Sequence, residues 1–590
     1  MADFRRYLPA LAGALLLMGI VSTASAQTAA FQCVANAGVP PLLRAEGLTE
    51  LTGDVVLNCT GGTVTAPGAP VPQANITIFL NTSVTSRLMT TPPGNSEALL
   101  LIDEPGTASN PGLRPCTTAP SCTISGDGAG NEFRTTAVNA FTGTVSGNSI
   151  TWIGVPIEPP GTTGTRVYRF TNIRANASAV APGASGTPGQ VIALISATPA
   201  TSGVTSSSVP INNPQQIIGF VSPGLKFSVD NSLAIKQCVS VTNGLVATLT
   251  YTENFATAFK TRTSAPFTDT ETSPAPVPQN IPGLIYNAES GFYAPAAYPG
   301  AGLADFGTRL KATFNNLPAG VTLFISTISQ PVPGASVARL VGTESGFFFP
   351  TPSSTTIAGQ PAAAIPIVNG STAIAVWEVL AAQPLSIDTF TFNVWATTTA
   401  NPANNSPAIG QATVNGSFAP TPPVFPATTG ATAQTASYPI PRFIDTSTAT
   451  PVLNVLVCRT NLLFPFVSNK NGFDTGLAIA NTSADPFGTS TQTGTCTWNF
   501  YGDSAPAAIT SPTVAPGTVY AALASSVAPN FQGYIIAICN FQYAHGFAFI
   551  SDLGARNLAM GYLALVIPDP ARTADPFPSA GVGSGEQLGY

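Results

Sequence analysis

Short runs of alternating apolar and polar residues recur along this chain, and Pro, Gly, Asn and Ser interrupt them at close intervals. Alternation with period two sends successive side chains to opposite faces of a strand, whereas an amphipathic helix repeats its apolar positions about every 3.6 residues. Val55-Val56-Leu57-Asn58-Cys59, Ile76-Thr77-Ile78-Phe79-Leu80, Leu99-Leu100-Leu101-Ile102 and Ile150-Thr151-Trp152-Ile153 therefore read as strands. In Arg166-Val167-Tyr168-Arg169-Phe170 arginines interleave with apolar residues, the pattern of a strand with one wet face. The same signal returns at 220–229, 244–251, 308–314, 321–325 and 390–395, and most densely at 462–468, 477–480, 497–500, 534–539, 547–550 and 562–567. Only 253–262 is less β-like, and it reads as a short helix or a loop.

The expected fold class is all-β, with several immunoglobulin-like β-sandwich domains in tandem and little helix outside a leader. At 590 residues the chain exceeds what one core fills. The turn-rich stretches divide it into an N-terminal sandwich at 27–214, a β domain at 215–300, an immunoglobulin-like domain at 301–418, a Pro/Thr-rich linker at 419–443, a C-terminal β domain at 444–568 and a flexible tail at 569–590.

The first 26 residues have a different character. Arg5 and Arg6 precede an apolar stretch at 8–21, and Ala24-Ser25-Ala26 supplies the small residues of a cleavage site. This is the layout of an export signal cut after Ala26. The apolar stretch is shorter than the ~20 residues of a spanning helix. The expected location is outside the cell or on its surface, by bacterial export, with no membrane segment after cleavage.

Composition narrows the partners. Charged residues make up 8 % of the chain, against roughly 25 % in ordinary soluble domains. Net charge is −6, and the leader carries +1, so the mature chain stands near −7. With no basic stripe to neutralise phosphates, nucleic acid is an unsuitable partner. Scarce Lys also leaves sheet edges without their usual charged guards, so Pro-rich loops, neighbouring domains or other copies must cover them.

All eight cysteines, Cys33, Cys59, Cys116, Cys122, Cys238, Cys458, Cys496 and Cys539, follow the leader. An even number in an exported chain reads as disulfides. Cys116 with Cys122, Cys33 with Cys59 and Cys496 with Cys539 are local pairings, which leaves Cys238 with Cys458; sequence alone does not fix the connectivity. Cys116 and Cys122 lie in an insertion at 106–130 that reads as a stapled surface loop. There is no Cys-x-x-Cys and one histidine, a poor basis for a zinc site.

Candidate chemistry is sparse. His545 could serve a hydrolase only with Ser551 and Asp552, or with Asp503 and Ser504, and neither spacing makes a triad; it reads as a structural histidine between aromatic strands. Glu289 and Glu344 head two similar segments, Glu289-Ser290-Gly291-Phe292-Tyr293 and Glu344-Ser345-Gly346-Phe347-Phe348, which read as a duplicated turn more readily than as a glycosidase pair. Asp127 to Glu132 and Asn469 to Asp474 place oxygen ligands around Gly but miss the twelve-residue calcium pattern. Trp152, Trp377, Trp395 and Trp498 sit in strand-like runs beside 33 Phe, which favours core packing over a sugar platform. No phosphate loop, dinucleotide fingerprint or metalloprotease helix is present, so no cofactor and no catalytic residue is assigned.

Arg44-Ala45-Glu46-Gly47-Leu48-Thr49-Glu50-Leu51 with Leu57-Asn58-Cys59-Thr60-Gly61-Gly62 forms one recognisable segment. Asn471-Gly472-Phe473-Asp474-Thr475-Gly476, Phe531-Gln532-Gly533-Tyr534 and Phe541-Gln542-Tyr543-Ala544-His545-Gly546-Phe547 form another. Together they resemble a family of large exported β-rich proteins of environmental bacteria. The resemblance implies a shared architecture and transfers no activity. The expectation is a non-catalytic structural or adhesive surface protein, meeting copies of itself, other surface proteins or glycans. The alternatives are a secreted ligand-binding protein, with glycans as the ligand class, and, behind it, a carboxylate-dependent glycosidase.

Overall fold

The computed structural model describes residues 30–89, 94–105, 112–117, 122–183, 186–200, 209–261, 292, 297–330, 336–345, 354–400, 406–425, 438–489 and 491–567. The leader, Glu289 and the tail at 569–590 lie outside these. The regular structure of the described chain is nearly all strand, joined by turns and loops, with two α-helices of four residues, Glu132–Thr135 and Ala524–Val527. It separates into two units, the first made of Met1–Pro223, Thr263–Ala304 and Phe425–Ile440, the second of Gly224–Arg262, Asp305–Val424 and Pro441–Tyr590.

The first unit is a sandwich of two six-stranded sheets. One is built around Gln32–Ala37, Val55–Gly61 and Gly161–Thr171, the other around Gln73–Leu80, Ser149–Pro156, Gly189–Pro199 and Gln215–Ser222. Val55, Leu57 and Cys59 point inward from one sheet and Ile76, Ile78, Ile150 and Trp152 from the other. Trp152 meets Phe170 edge-on at 4.8 Å between ring centres. The arginines of Arg166–Phe170 depart from the expected wet face. Arg166 is buried against Asp103, and Arg169 reaches Asp54 at 3.2 Å and Glu104 at 2.9 Å. Carboxylates from other segments neutralise them, which alternation within one strand cannot reveal.

The second unit holds two sandwiches. In the first of them, Val241–Glu253 pairs with Thr389–Thr398, and Leu233–Lys236 lies parallel to Thr450–Leu456. Its core stacks Trp377 on Phe392 at 4.0 Å, with Tyr251 beside them. Charge is buried here too: Arg309 donates to Glu378 at 2.8 Å. Residues 254–261 form bends and turns rather than a helix.

These pairings redraw three of the sequence boundaries. Gln215–Ser222 completes the N-terminal sandwich beyond residue 214. Strands from 215–300 and 301–418 share sheets instead of forming separate domains, and Thr450–Leu456 joins Gly410–Ala419 rather than the C-terminal domain. Most strands carry a similar amphipathic alternation and some, such as Leu99–Ile102, are buried throughout, so the pattern shows that a strand exists without showing which neighbour it takes.

The remaining sandwich packs a five-stranded sheet, with Thr460–Ser468, Gln532–Cys539 and Cys496–Asp503 at its centre, on a four-stranded sheet ordered Val519–Leu523, Asp474–Asn481, Ala544–Ser551, Ala559–Leu563.

All eight cysteines are paired, as Cys33–Cys59, Cys116–Cys122, Cys238–Cys458 and Cys496–Cys539. Cys33–Cys59 and Cys496–Cys539 join directly opposed residues of adjacent antiparallel strands. Cys238–Cys458 fastens the chain just past the ends of the parallel pair Leu233–Lys236 and Thr450–Leu456. Cys116 and Cys122 are buried among core side chains, so their staple is anchored in the interior rather than on a surface loop.

Candidate functional site

The described candidate catalytic groups each serve a strand, a turn or an ion pair, and Glu289, the residue weighed with Glu344, lies outside the described residues. His545 and Ser551 lie on one face of the strand Ala544–Ser551, six residues apart, which at ~3.4 Å per residue is about 20 Å. Asp552 accepts backbone N–H bonds from Gly554, Arg556 and Leu558, closing the loop after that strand. Asp503 takes the ammonium of Lys470 at 3.1 Å, and Ser504 occupies a positive-φ turn position. Glu344 binds Lys311 at 3.1 Å and accepts the N–H of Thr421 at 3.0 Å. Its carboxylate ties three segments together.

The two calcium-like segments are turns. Asp127 accepts the N–H groups of Ala129, Gly130 and Asn131. Desolvation pushes its carboxyl up, but these N–H groups and the side chain of Glu132 hold it below the usual range. Asp474 accepts from Thr475 N–H and from the N–H and hydroxyl of Ser525, while Asn469 bonds Phe531 and Ala528. No group of three metal-ligating side chains occurs among the described residues. The four tryptophans are buried, each at 2 % exposure or less.

What the structure does expose is an apolar sheet face on the C-terminal sandwich. Successive residues of Ala544–Ser551 alternate, and the alternation places His545, Phe547 and Phe549 outward and Ala544, Gly546, Ala548 and Ile550 inward. His545 is therefore a solvent-facing residue, not one enclosed between strands. The inversion has a cause on the opposite sheet. Phe464 on that sheet and Ala564 occupy the space over Gly546, where a Cβ would approach each of them to 2.7 Å, so the inward side has no room for a side chain at that position.

Register extends the face across four strands. One row reads Leu523, Gly476, Phe549, Gly561; the next reads Ala521, Ala478, Phe547, Leu563; the third reads Val519, Ala480, His545. The ring of Phe547 leans over Gly561, where a Cβ would meet it at 2.7 Å. A trough of about 370 Å³ remains along Gly476 and Ala478, between the phenylalanines and Leu523. No Asp, Glu, Lys or Arg occurs in these three rows.

A second hollow, about 400 Å³, opens at one end of the same sandwich, lined by Phe466, Lys470, Asn471, Phe473, Gln532 and Met560 among others. In the facing five-stranded sheet Tyr501 and Tyr534 stack at 4.9 Å with the residues about two-fifths exposed, two residue pairs along from Asp503 and Gln532. Sequence reasoning assigned neither feature. The segments Asn471–Gly476, Phe531–Tyr534 and Phe541–Phe547 nevertheless all contribute to this sandwich.

No protein-family model and no curated protein matches the chain. Among solved structures it is similar to the T6 backbone pilin of serotype M6 Streptococcus pyogenes, at 9 % identity and TM-score 0.17 over 85 % of this chain and 79 % of that one. It is similar also to the full-length major pilin SpaD from Corynebacterium diphtheriae, at 8 % identity and TM-score 0.17 over 85 % and 86 %. The CupB6 tip adhesin from Pseudomonas aeruginosa follows at 8 % and 0.13, over 72 % and 98 %. Similarity at this level leaves the sandwich architecture resting on the strand pairing itself and assigns no function.

Proposed function

We propose that this chain is an exported structural or adhesive protein of the cell surface, a component of a layer, fibre or attachment, and that it performs no catalysis. The observation that carries the reading is the uncharged apolar face of the C-terminal sandwich. Contiguous apolar surface of this kind marks a place where a protein meets a partner. Four disulfides fit the oxidising space outside the cytoplasm, and the leader-like segment fits the route there. No helix among the described residues is long and apolar enough to cross a membrane. The resemblance to large exported β-rich proteins of environmental bacteria points the same way.

The test is immunogold labelling and fractionation of producing cells with an antibody to the folded chain. The expected result is label at the surface or in the medium, on protein whose thiols resist alkylation before reduction. Retention in the cytoplasm with free thiols would overturn the reading.

A second reading is favoured by one observation, the stacked Tyr501 and Tyr534 beside Gln532 and the hollow at Lys470. Exposed aromatic rings flanked by amide and charged groups suit a sugar, whose apolar face stacks while its hydroxyls bond. A secreted glycan-binding protein predicts retention on a glycan array that Tyr501→Ala and Tyr534→Ala abolish. An array with no bound glycan would remove this reading.

A further inference from the structure

We infer that the exposed face of the four-stranded sheet is a docking surface for a second copy of this chain, related to the first by a two-fold axis. The inference rests on the surface-protein reading and deepens it by naming the partner of one face.

The chemistry of the face excludes most other occupants. Its three rows hold Leu, Val, Ala, Gly and Phe with His545 at one end, and none of the Asp, Glu, Lys or Arg that would neutralise an ionic partner. Phe547, Phe549, Leu523, Val519 and Leu563 are between 42 % and 73 % exposed. A partner must therefore bring an apolar, uncharged surface of similar shape, and the chain itself supplies one.

The relief of the face is complementary to itself. Phe547 and Phe549 form a ridge on the strand Ala544–Ser551. Directly beside it, Gly476, Ala478 and Ala480 form a floor without side-chain bulk, closed on its far side by Leu523 and Val519. Ridge and far wall stand two strand spacings apart, roughly 9.6 Å, which admits an aromatic ring. A two-fold axis lying in the interface, parallel to the strands and midway between ridge and floor, lays the phenylalanine ridge of each copy in the trough of the other. That reciprocity is what an isologous interface requires. Because the ring of Phe547 leans over Gly561 and away from Ala478, the trough is open before the partner arrives.

The area suits a weak association. Four strands at about 4.8 Å spacing and three rows about 6.8 Å apart give a face of roughly 400 Å². Two such faces closing on each other remove about 800 Å², below the size of permanent interfaces and in the range of transient ones. The association is accordingly expected to be weak and concentration-dependent.

The experiment is sedimentation velocity of the mature, oxidised full chain over a thousandfold concentration range. It compares wild type, Phe547→Glu/Phe549→Glu, and a control, Leu385→Glu, at a residue 87 % exposed on the other sandwich of the same unit. Because both phenylalanine side chains already face solvent, the double variant is expected to fold, and circular dichroism and retained disulfides verify that it does. The inference predicts a monomer–dimer equilibrium for wild type and control, and a dissociation constant at least a hundredfold weaker for the double variant. Wild type that stays monomeric throughout overturns it. Self-association untouched by the double variant also overturns it, and points to sheet edges. Monomeric wild type that binds neutral lipid vesicles through Phe547 and Phe549 overturns it in favour of a lipid surface. In each of these cases immunogold labelling still decides the surface-protein reading separately.

Discussion

Phe547 stands directly opposite Ala478 across two adjacent antiparallel strands, with both side chains on the outer face of the sheet. One residue forms the ridge and the other the floor of the trough, so the shape of the face depends on their difference in size. Ala478→Phe fills the floor from within the same molecule. It adds no buried bulk, so the unfolding midpoint should move by no more than the ~0.5 kcal/mol typical of surface changes. Self-association should fall as it does for the phenylalanine variants, read by light scattering. Unchanged self-association with an unchanged midpoint would show that the trough is not used.

Glu97 and Arg174 form a fully buried ion pair in the N-terminal sandwich, Arg174 Nε donating to Oε1 at 3.0 Å. The same carboxylate accepts the N–H of Arg87 and of Gly302. Glu97→Ala leaves a guanidinium in the interior without its carboxylate, a loss of about 3–5 kcal/mol. Urea unfolding followed by tryptophan fluorescence should show it as an early transition of the N-terminal unit. A midpoint within error of wild type would mean that water reaches the site.

Glu253 is buried and accepts the N–H groups of Phe259 and Asp388. Burial raises its pKa from 4.5 to about 7, the N–H bonds offsetting only part of the desolvation. A carboxyl raised on folding favours the folded state while protonated. Its contribution is fully present below pH 4.5 and is lost as pH rises through about 7. The second unit should thus melt at progressively lower temperature between pH 5 and pH 8, by an amount on the order of 3 kcal/mol at most. Glu253→Gln removes the titrating group and should flatten that slope. A slope of the same size in the variant would assign the pH dependence elsewhere.

Cys238 is the most accessible of the paired cysteines, half-buried where the others are buried, and its bridge to Cys458 spans 220 residues. Closing so long a loop restricts the unfolded chain by about 5 kcal/mol in the loop-entropy account. Mild reductant should open this bridge first, detected by alkylation and mass mapping. The double substitution Cys238→Ser/Cys458→Ser should lower the stability of the second unit while leaving the N-terminal unit unchanged. First opening at Cys33–Cys59 would contradict the order set by burial.

Much of the β architecture was legible because alternation survives in many strands, as with Leu477 and Ile479 inward and Gly476 and Ala478 outward. Closeness in sequence suggested the local disulfide partners without fixing the connectivity, which the structure supplies. Pairing between distant strands was not, since Val241–Glu253 carries no mark in sequence of its neighbour Thr389–Thr398. The exposed face was hidden for a sharper reason. A run of Phe547, Ala548 and Phe549 reads as core aromatics, and Phe464 on the facing sheet together with Ala564, which leave no room for a side chain at Gly546, sets the glycine inward and the phenylalanines outward. The same inversion brought His545 to the surface.

The most direct measurement of the account is negative-stain electron microscopy of the mature, oxidised protein beside material released from producing cells. A structural surface protein predicts ordered fibres or layers in the cell-derived material, and paired or extended assemblies of the purified chain at high concentration. Single, separate particles in both preparations would contradict it.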